Sequence, residues 1–260
     1  MEHKMIAQRV KEFFKTLVFD EASHTYINKG KNLTPVSTMI KEFVKPFDSE
    51  KIAEWSAKKQ KKKKEDLLKE WEDIKNEACE AGTRVHDFGE RHCIDKYSIL
   101  TDLRFHSPEQ HLKKDEQLNA KEIALVNFWD KKPDYYIPIL MELRMFSEEL
   151  GIAGTADIIL LDTRDNTLVI GDYKTNKDLF KQYKDQKLLG IFSDMDDTPY
   201  SKYKLQLSFY QILLELTGYQ VSRRFLVWLK EDAEYEVFDT SDITDRINNY
   251  FKSKKQYQIW

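Results

Sequence analysis

Two aspartates and a lysine, Asp157, Asp172 and Lys174, have the residue types and the spacing of a catalytic site. Asp157 directly precedes the apolar run 158–161, and Asp172 follows the apolar run 168–170 after one glycine. Both runs are short and rich in β-branched residues, and a polar, turn-like stretch separates them. This pattern predicts an antiparallel β-hairpin that brings the two carboxylates and the ammonium group together.

The register of this hairpin decides how the three side chains meet. A loop of four residues would place Asp157 directly opposite Asp172, and a loop of two would place it opposite Lys174. Because side chains alternate between the two faces of a strand, both registers leave the three groups on one face. A three-residue loop would send Asp157 to the opposite face.

Paired carboxylates beside a lysine suit a hard divalent cation. Mg²⁺ prefers oxygen ligands and is commonly held by one or two carboxylates together with substrate phosphate. The lysine can orient or help to deprotonate an attacking water, or it can neutralise charge on a phosphate in the transition state. The competing interpretation is a cross-strand salt bridge on a solvated face. The apolar flanks favour buried strands, where an unneeded pair of carboxylates would be costly.

Four segments together resemble the PD-(D/E)XK nuclease superfamily, in particular its RecB-like exonuclease branch. Residues 154–157 and 171–175 resemble the catalytic hairpin of that branch. Residues 82–86 resemble its Gly-Thr-x-x-His helix start, and residues 206–210 its Gln-x-x-x-Tyr helix. The segments also follow one another in the order of the family, which is far more specific than any one motif alone.

This resemblance implies a restriction-endonuclease-like α/β core, with a central mixed β-sheet flanked by helices and an N-terminal helical elaboration. It also implies a divalent-metal-dependent DNA exonuclease of recombination, repair or DNA end processing, of the kind that phages encode. Asp157 and Asp172 would be metal ligands, His86 a further ligand and the Tyr173 backbone carbonyl another. Lys174 would assist the attacking water.

Two glutamates are additional candidates for the metal site. Glu90 lies four residues after His86 and shares its helix face, so it would join the metal shell or orient His86; a surface ion pair is the alternative. Glu142 lies in a predicted strand, 137–146, whose alternation groups it with Leu140, Arg144 and Phe146. Pairing of Glu142 with Arg144 is the competing explanation.

The predicted metal is Mg²⁺ or Mn²⁺. An imidazole ligand from His86 would favour Mn²⁺, because nitrogen ligands suit later metals better than Mg²⁺.

The pair Gln206 and Tyr210 lies on a predicted helix, 200–216, with the two side chains one turn apart. In the family such a pair flanks the active site, where the amide and the phenol hold a phosphate, a base or the catalytic lysine. The alternative is that Tyr210 belongs to the core of an amphipathic helix.

Cysteine content separates this chain from part of the resembled branch. Cys79 and Cys93 are its two cysteines, too few to supply the four ligands of an iron–sulfur cluster. We therefore expect neither a cluster nor a disulfide scaffold. The chain is more similar to the phage-type exonucleases and the mitochondrial genome maintenance exonucleases.

Composition predicts a soluble globular protein, with 33% charged and 41% hydrophobic residues over 260 positions. No apolar stretch approaches the roughly 20 residues of a membrane span, and the first residues lack the apolar core of a signal peptide. We therefore expect a cytoplasmic protein without a membrane partner. Residues 1–80 are predicted to form a hairpin and a helical elaboration with a Lys-rich segment, and residues 81–260 the nuclease core.

A net charge of −3 argues against a nucleic-acid partner, but the distribution of lysines weakens that argument. Seven lysines fall within residues 51–64. Lys61 and Lys62 are candidate DNA contacts there, although such a run is also typical of a solvated helix face.

The segment 175–200 mixes lysines with aromatic residues, a combination suited to phosphate contacts and base stacking. An ordinary surface segment is the alternative. The candidate DNA contacts are Thr175, Lys177, Lys181 and Lys184, together with Lys187 and the aromatic residues Phe180, Tyr183 and Phe192.

The remaining elements follow from periodicity and turn residues. Residues 49–97 read as mostly helical with a break near 81–83, where Thr83 would cap a second helix and place His86 in its first turn. The other predicted elements are helices at 6–17, 35–43 and 241–253, a hairpin at 18–20 and 24–27, and strands at 221–229 and 235–238.

Two alternative functions remain at this level. The same core would also serve a structure-specific or restriction-like DNA endonuclease, because fold does not determine substrate. A DNA-binding or partner-binding module without catalysis is the alternative from another class. Several further properties depend on the shape of the whole molecule. They are digestion polarity, strand preference, the choice between DNA and RNA, processivity, and assembly into a homo-oligomer or with a recombination partner.

Overall fold

The computed structural model describes residues 2–20, 23, 25–101 and 117–257, and its centre is a mixed β-sheet. The strands are β1 (Leu17–Asp20), β2 (Thr25–Asn28), β3 (Lys31–Pro35), β4 (Leu100–Thr101), β5 (Tyr136–Ser147), β6 (Ile152–Asp162), β7 (Thr167–Lys174), β8 (Val221–Leu229) and β9 (Tyr235–Asp239). The helices are α1 (Glu2–Phe13), α2 (Val36–Lys41), α3 (Ser49–Gln60), α4 (Lys64–Tyr97), α5 (Ala120–Lys131), α6 (Pro199–Glu215) and α7 (Thr244–Tyr257). The predicted α/β fold with a mixed central sheet and flanking helices is confirmed.

The sheet is continuous from the N-terminal strands to the C-terminal ones. Its main path runs β1-β2-β3-β6-β7-β8-β9, while β5 pairs with β6 on a branch and β4 pairs with β5. β3 joins β6 in parallel through Thr34–Ile152 and Pro35–Ala153, and β7 lies parallel to β8. The predicted N-terminal hairpin is thus a three-stranded meander that extends the core sheet. His24, predicted to begin its second strand, lies outside the described residues.

Two apolar cores cover the two faces of the sheet. One contains side chains of α1, α2, α6 and α7, and the other contains side chains of α4 and α5. β6 and β7 supply both cores by alternation, with Ile159 and Ile170 in the first and Leu160 and Val169 in the second. None of the helices among the described residues is long and apolar enough to cross a membrane.

The predicted hairpin is formed by β6 and β7. Asp162 pairs with Thr167, which leaves a loop of four residues, and the ladder runs from there to Ile158–Gly171. Continuing this register by one position places Asp157 opposite Asp172, as the four-residue alternative requires.

The predicted break near residues 81–83 is wrong, because helix α4 is continuous there. It runs through Gly82 and Thr83 from Lys64 to Tyr97, so Thr83 is not a cap and His86 lies well inside a 34-residue helix. The interruption falls earlier, at Lys61, which ends α3 in a left-handed conformation with φ of 55°. A single glycine inside a helix costs only about 1 kcal/mol, which packing of the helix easily offsets.

The predicted alternation along β5 is also wrong. Ile139, Leu140 and Leu143 share one core and Met141 lies in the other, whereas simple alternation would place Ile139 with Met141. A register shift between Pro138 and Leu140 is one cause. The other is Glu142, whose φ of 49° interrupts the extended backbone. Irregularities of this kind re-aim side chains, and here they do so at the candidate site.

Candidate metal centre

Helix α4 carries His86 close over the sheet because glycine occupies the point of nearest approach. A Cβ atom at Gly89 would lie 2.9 Å from the Tyr173 ring and 3.0 Å from the Leu125 side chain. One turn before His86, a Cβ atom at Gly82 would lie 3.6 Å from Thr175 Oγ1, just beyond the end of β7. The helix therefore crosses the sheet directly above the strand that contains Asp172 and Lys174.

His86, Glu142 and Asp157 form a compact group of potential metal ligands. His86 Nδ1 lies 3.3 Å from Asp157 Oδ2 and 3.6 Å from Glu142 Oε1. One ligand atom from each residue lies within 4.8 Å of the other two. These residues come from α4, β5 and β6, so the group forms only when the three elements pack together. An imidazole and two carboxylates at this spacing fit a divalent cation.

Glu142 has an unusual backbone conformation for a residue within a strand. Its φ is 49°, a left-handed conformation that is uncommon for residues other than glycine. The ladder to β6 continues on both sides of it, through Met141–Ile158 and Leu143–Ala156. Strained backbone of this kind concentrates at functional sites. The Glu142 carboxylate contacts His86, and the Arg144 guanidinium lies 4.9 Å from the centre of the Phe19 ring.

Asp172 and Lys174 form a buried ion pair at the end of β7. Their side chains are 2% and 12% exposed, and the carboxylate contacts the ammonium group directly. The ammonium group also lies 4.1 Å from the centre of the Tyr203 ring on α6. Burying two charges is costly even when they are paired, and a pair retained in such a place is a candidate for function.

Asp157 bridges the opening where β6 and β7 separate. Its Oδ2 accepts a hydrogen bond of 2.8 Å from the backbone N–H of Tyr173, beyond the last backbone pair of the ladder. Ala156 and Ile159 pack in the same core, so strict alternation is interrupted at Asp157 and Ile158. Asp157, Asp172 and Lys174 therefore meet around this opening. They do so where β6 is irregular, and not on one face of two regular strands as predicted.

The pKa values reflect the negative charge collected in this space. Burial and the charge of Asp157 raise the pKa of Asp172 to about 6. The same two causes raise the pKa of Glu142. Although burial alone would lower it, the Asp157 and Glu142 carboxylates raise the pKa of His86 well above its usual range. A divalent cation would relieve this repulsion among the carboxylates.

Lys174 remains an ammonium group in this setting. Burial lowers its pKa, but the charges of Asp172 and Asp157 outweigh burial, and the pKa of Lys174 is raised above its usual value. The pKa of Asp157 is lowered, because the charges of His86 and Lys174 outweigh burial. Asp157 therefore carries full negative charge at neutral pH in the metal-free protein.

Gln206 and Tyr210 lie next to the centre, on α6. Gln206 Nε2 donates a hydrogen bond of 2.8 Å to Tyr210 Oη. Burial and the charges of Tyr26 and Asp172 raise the pKa of Tyr210 well above its usual range. A Cβ atom at position 154 would lie 2.5 Å from the Tyr210 ring, so this packing requires Gly154. Tyr210 is thus both a core residue and a neighbour of the carboxylates.

Glu90 lies one turn after His86 on α4 and is buried, with 4% exposure. Its charge contributes to the raised pKa of Glu142, so it lies near the group without belonging to it. This position fits an orienting residue better than a direct ligand.

A support behind β7 was not predicted from the sequence. Trp129 Nε1 on α5 donates a hydrogen bond of 2.6 Å to Tyr173 Oη, and both side chains are buried. α5 itself was not predicted, although Asn119 and Glu122 form a capping box whose Asn-x-x-Glu spacing marks a helix start. Tyr203 was also missed, but it lies three residues before Gln206 and therefore on the same helix face.

The predicted DNA contacts lie in different surroundings. Lys62 forms an ion pair of 2.8 Å with Glu70, and Lys61 is the left-handed end of α3. After β7, Phe180 and Tyr183 are 49% and 56% exposed and can reach a ligand. The others with a described position on this surface are Thr175, Lys177, Lys181 and Lys184.

One of the predicted contacts in this segment needs correction. Phe192 is fully buried in the core, so it cannot stack on a base. Lys187 is half-exposed and pairs with Asp196, and its contact with DNA stays a prediction.

Comparison with known protein families gives one match. The model of the PD-(D/E)XK nuclease superfamily matches residues 37–255. The matched region runs from α2 into α7 and includes His86, Glu142 and the whole β6–β7 hairpin. A search of curated proteins finds no match.

Proposed function

This chain belongs to the PD-(D/E)XK nuclease superfamily, and from the geometry of its candidate metal centre we propose that it is a DNA exonuclease of the RecB-like branch. Membership alone indicates a metal-dependent nuclease that acts on DNA. The observation that supports an active enzyme is the meeting of His86, Glu142 and Asp157 beside the Asp172–Lys174 ion pair.

The donor set suits a divalent cation, and His86, Glu142, Asp157 and Asp172 would hold it. The Tyr173 backbone carbonyl remains a proposed further ligand. When bound, such a cation polarises the phosphodiester and lowers the pKa of water, the chemistry that phosphodiester hydrolysis needs. Two or three carboxylates suit Mg²⁺, and the imidazole extends the range to Mn²⁺.

Lys174 would orient the attacking water and stabilise charge on the phosphate. Because its pKa is raised, it donates hydrogen bonds as an ammonium group at neutral pH, and the role of charge stabilisation is favoured over that of a general base. Asp172 holds Lys174 through the ion pair. Gln206 and Tyr210 would hold the phosphate or base next to it, since their hydrogen-bonded pair lies beside Asp172.

The RecB-like assignment and exonuclease action are supported by the order of the four motifs and by the Gln206–Tyr210 pair. The activity would serve recombination, repair or DNA end processing, as in phage-type exonucleases.

Digestion of end-labelled linear DNA, single-stranded and double-stranded, tests this proposal, with closed-circular DNA in parallel. We expect linear DNA to be degraded with Mg²⁺ or Mn²⁺, EDTA to stop the reaction and circular DNA to stay intact. Cleavage of circular DNA would instead establish an endonuclease. DNA binding without metal binding or hydrolysis would establish an inactive binding module.

Substitution of Lys174 tests the assignment of the site. We expect Lys174→Ala to lower kcat by at least about 100-fold, the usual effect of removing a group that stabilises transition-state charge. Lys96→Ala is the matched control, because Lys96 lies on the surface of α4 and pairs with Asp130. Full activity of Lys174→Ala would disprove the proposed role.

A further inference from the structure

Helix α3 presents an exposed tryptophan among lysines, away from the metal centre. Trp55 is 63% exposed, and Lys51 and Lys59 lie one turn before and one turn after it on the same face. Lys58 lies beside them, three residues after Trp55. The opposite side of α3, with Ala53 and Ala57, is buried. We call the exposed side, formed by Lys51, Trp55, Lys58 and Lys59, the α3 face.

The charge of this region is strongly positive, although the whole chain is negative. Residues 49–64 contain seven lysines and two glutamates, a net charge of +5. The next sixteen residues, 65–80 on α4, contain seven acidic residues and two lysines, a net charge of −5. Three of the lysines in residues 49–64 form ion pairs: Lys58 with Glu54, Lys62 with Glu70 and Lys64 with Glu50. The remaining net positive charge of residues 49–64 would attract an anionic partner, and the net negative charge of residues 65–80 would repel it.

The chemistry of the α3 face fits unpaired nucleotides. The Lys59 ammonium group lies 5.3 Å from the centre of the Trp55 ring, so a base that stacked on the ring would bring its phosphate close to a lysine. Proteins that bind single strands combine aromatic side chains, on which bases stack, with lysines that track the backbone. A duplex offers the phosphates but hides the faces of its bases, so Trp55 favours a single strand.

The α3 face is joined to the metal centre by one continuous helix. α4 passes Thr175 at Gly82 and carries His86 one turn later. Towards α3, residues 72–81 of α4 are exposed. α4 begins at Lys64, so at 1.5 Å per residue its α3 end lies roughly 33 Å from His86. A DNA strand that extends beyond the candidate metal centre would need a binding surface at such a distance.

We propose that the α3 face binds single-stranded DNA, with Trp55 stacking on a base and Lys51 and Lys59 contacting phosphates. This inference rests on the proposed nuclease function for its choice of ligand and adds the strand preference and the residues that produce it.

Binding measured without divalent metal tests the inference independently of hydrolysis. Fluorescence anisotropy in EDTA would compare Trp55→Ala with the unmodified chain on labelled oligonucleotides of about 20 nucleotides, longer than the usual footprints of 4–16. We expect the Kd for single-stranded DNA to rise about tenfold, within the range of one lost base stack. Binding of blunt duplex DNA should stay within about twofold, since no base stacks on Trp55 there.

Three controls separate stacking from general damage. Trp55→Phe should restore most of the affinity, because it keeps an aromatic ring. Ile74→Ala changes an apolar side chain of similar exposure, 57%, on the acidic part of α4, and it should bind like the unmodified chain. An oligonucleotide with abasic sites should bind the unmodified chain and Trp55→Ala equally.

The salt dependence of binding tests the phosphate contacts of Lys51 and Lys59. Lys51→Gln and Lys59→Gln should each reduce the slope of log Kd against log salt concentration by about 0.7 for single strands. An unchanged slope in both variants would contradict phosphate contacts on this face.

Other results would overturn the inference. Equal loss of single-strand and duplex binding in Trp55→Ala would show that Trp55 does not select single strands by stacking on their bases. A dimer that dissociates on Trp55→Ala, seen by light scattering, would show that the face binds a second copy of the chain. Unchanged single-strand binding by Trp55→Ala, with hydrolysis intact, would disprove the role of the α3 face but not the nuclease function. Weaker single-strand binding by Trp55→Ala, in a chain that does not hydrolyse DNA with any divalent metal, would support the α3 face and disprove the nuclease function.

Discussion

The carboxylates of the candidate metal centre are placed where they repel one another. Asp157 and Asp172 come from adjacent strands, and Glu142 faces the same imidazole as Asp157. Burial and this repulsion raise the pKa of Asp172 to about 6, and the pKa of His86 rises because it balances two carboxylates. Without metal, protons therefore occupy positions that a cation would take.

Metal affinity should consequently depend on pH. A cation that binds His86 must displace its proton at neutral pH, and below about pH 6 it must also displace a proton from Asp172. We expect the Kd for Mn²⁺ to rise as pH falls, about tenfold per unit near neutrality and more steeply below pH 6. Calorimetry in buffers of different ionisation enthalpy would count the released protons.

The control for this prediction is His86→Gln, which should bind Mn²⁺ more weakly and release about one proton fewer at neutral pH. An equal proton release in both proteins would show that His86 is not a ligand.

Glu142 offers a test of backbone strain at the site. Glu142→Ala and Glu142→Gly both remove the carboxylate, but only glycine adopts a φ of 49° without steric cost. We expect the glycine variant to be more stable than the alanine variant by about 1 kcal/mol. Urea unfolding of the two variants in EDTA would measure this. Equal or reversed stabilities would show that the conformation is not strained.

At the scale of elements, helix α4 can approach the sheet closely because Gly89 has no side chain. Gly89 allows the helix to rest on the Tyr173 ring, and Tyr173 in turn donates its backbone N–H to Asp157. Trp129 holds the same ring from α5. The geometry of the β6–β7 hairpin therefore depends on two helices, of which only α4 contributes to the His86–Glu142–Asp157 group.

Two glycines on α4 should respond differently to alanine. At Gly82 a Cβ would make an ordinary contact of 3.6 Å, and alanine should stabilise the helix by about 0.5–1 kcal/mol. At Gly89 a Cβ would lie 2.9 Å from the Tyr173 ring, and alanine should cost about 1–3 kcal/mol through overpacking. Chemical unfolding of the matched pair would test this difference. A stabilised Gly89→Ala protein would contradict the close packing of α4 on β7.

At the scale of the whole molecule, the site and the fold depend on each other. His86, Glu142, Asp157 and Asp172 lie on four different elements, and only the assembled sheet with α4 above it brings them together. A ligand that needs this arrangement binds the folded state and not the unfolded chain. It must therefore stabilise the fold.

Divalent metal should raise the melting temperature. At a metal concentration of 100 times Kd the gain is about 2.7 kcal/mol, which corresponds to roughly 5–10 °C for a chain of this size. Differential scanning calorimetry with Mn²⁺ and then with excess EDTA would measure the shift and its reversal. Asp157→Asn is the control and should lose most of the shift; a full shift in that variant would place the metal elsewhere.

Sequence was most informative where the pattern is local. Strand β8 has the predicted bounds, and α6 differs from its prediction by one residue at each end, because apolar periodicity and flanking turn residues act within a few positions. The hairpin register followed from loop length for the same reason. The prediction of metal chemistry came from residue types, since an unneeded pair of carboxylates is costly in a buried strand.

The tertiary structure decided what depends on contacts between distant segments. The left-handed backbone of Glu142 has no signal in the sequence, because it arises where β5 meets β6 beneath His86. The burial of Phe192 and the support of Tyr173 by Trp129 are likewise products of packing. The sequence by itself determined the superfamily, the β6–β7 hairpin and the candidate residues on it. Only the folded chain decided which side chains complete the centre, because ligand distances are set by how helices and strands pack and not by their order.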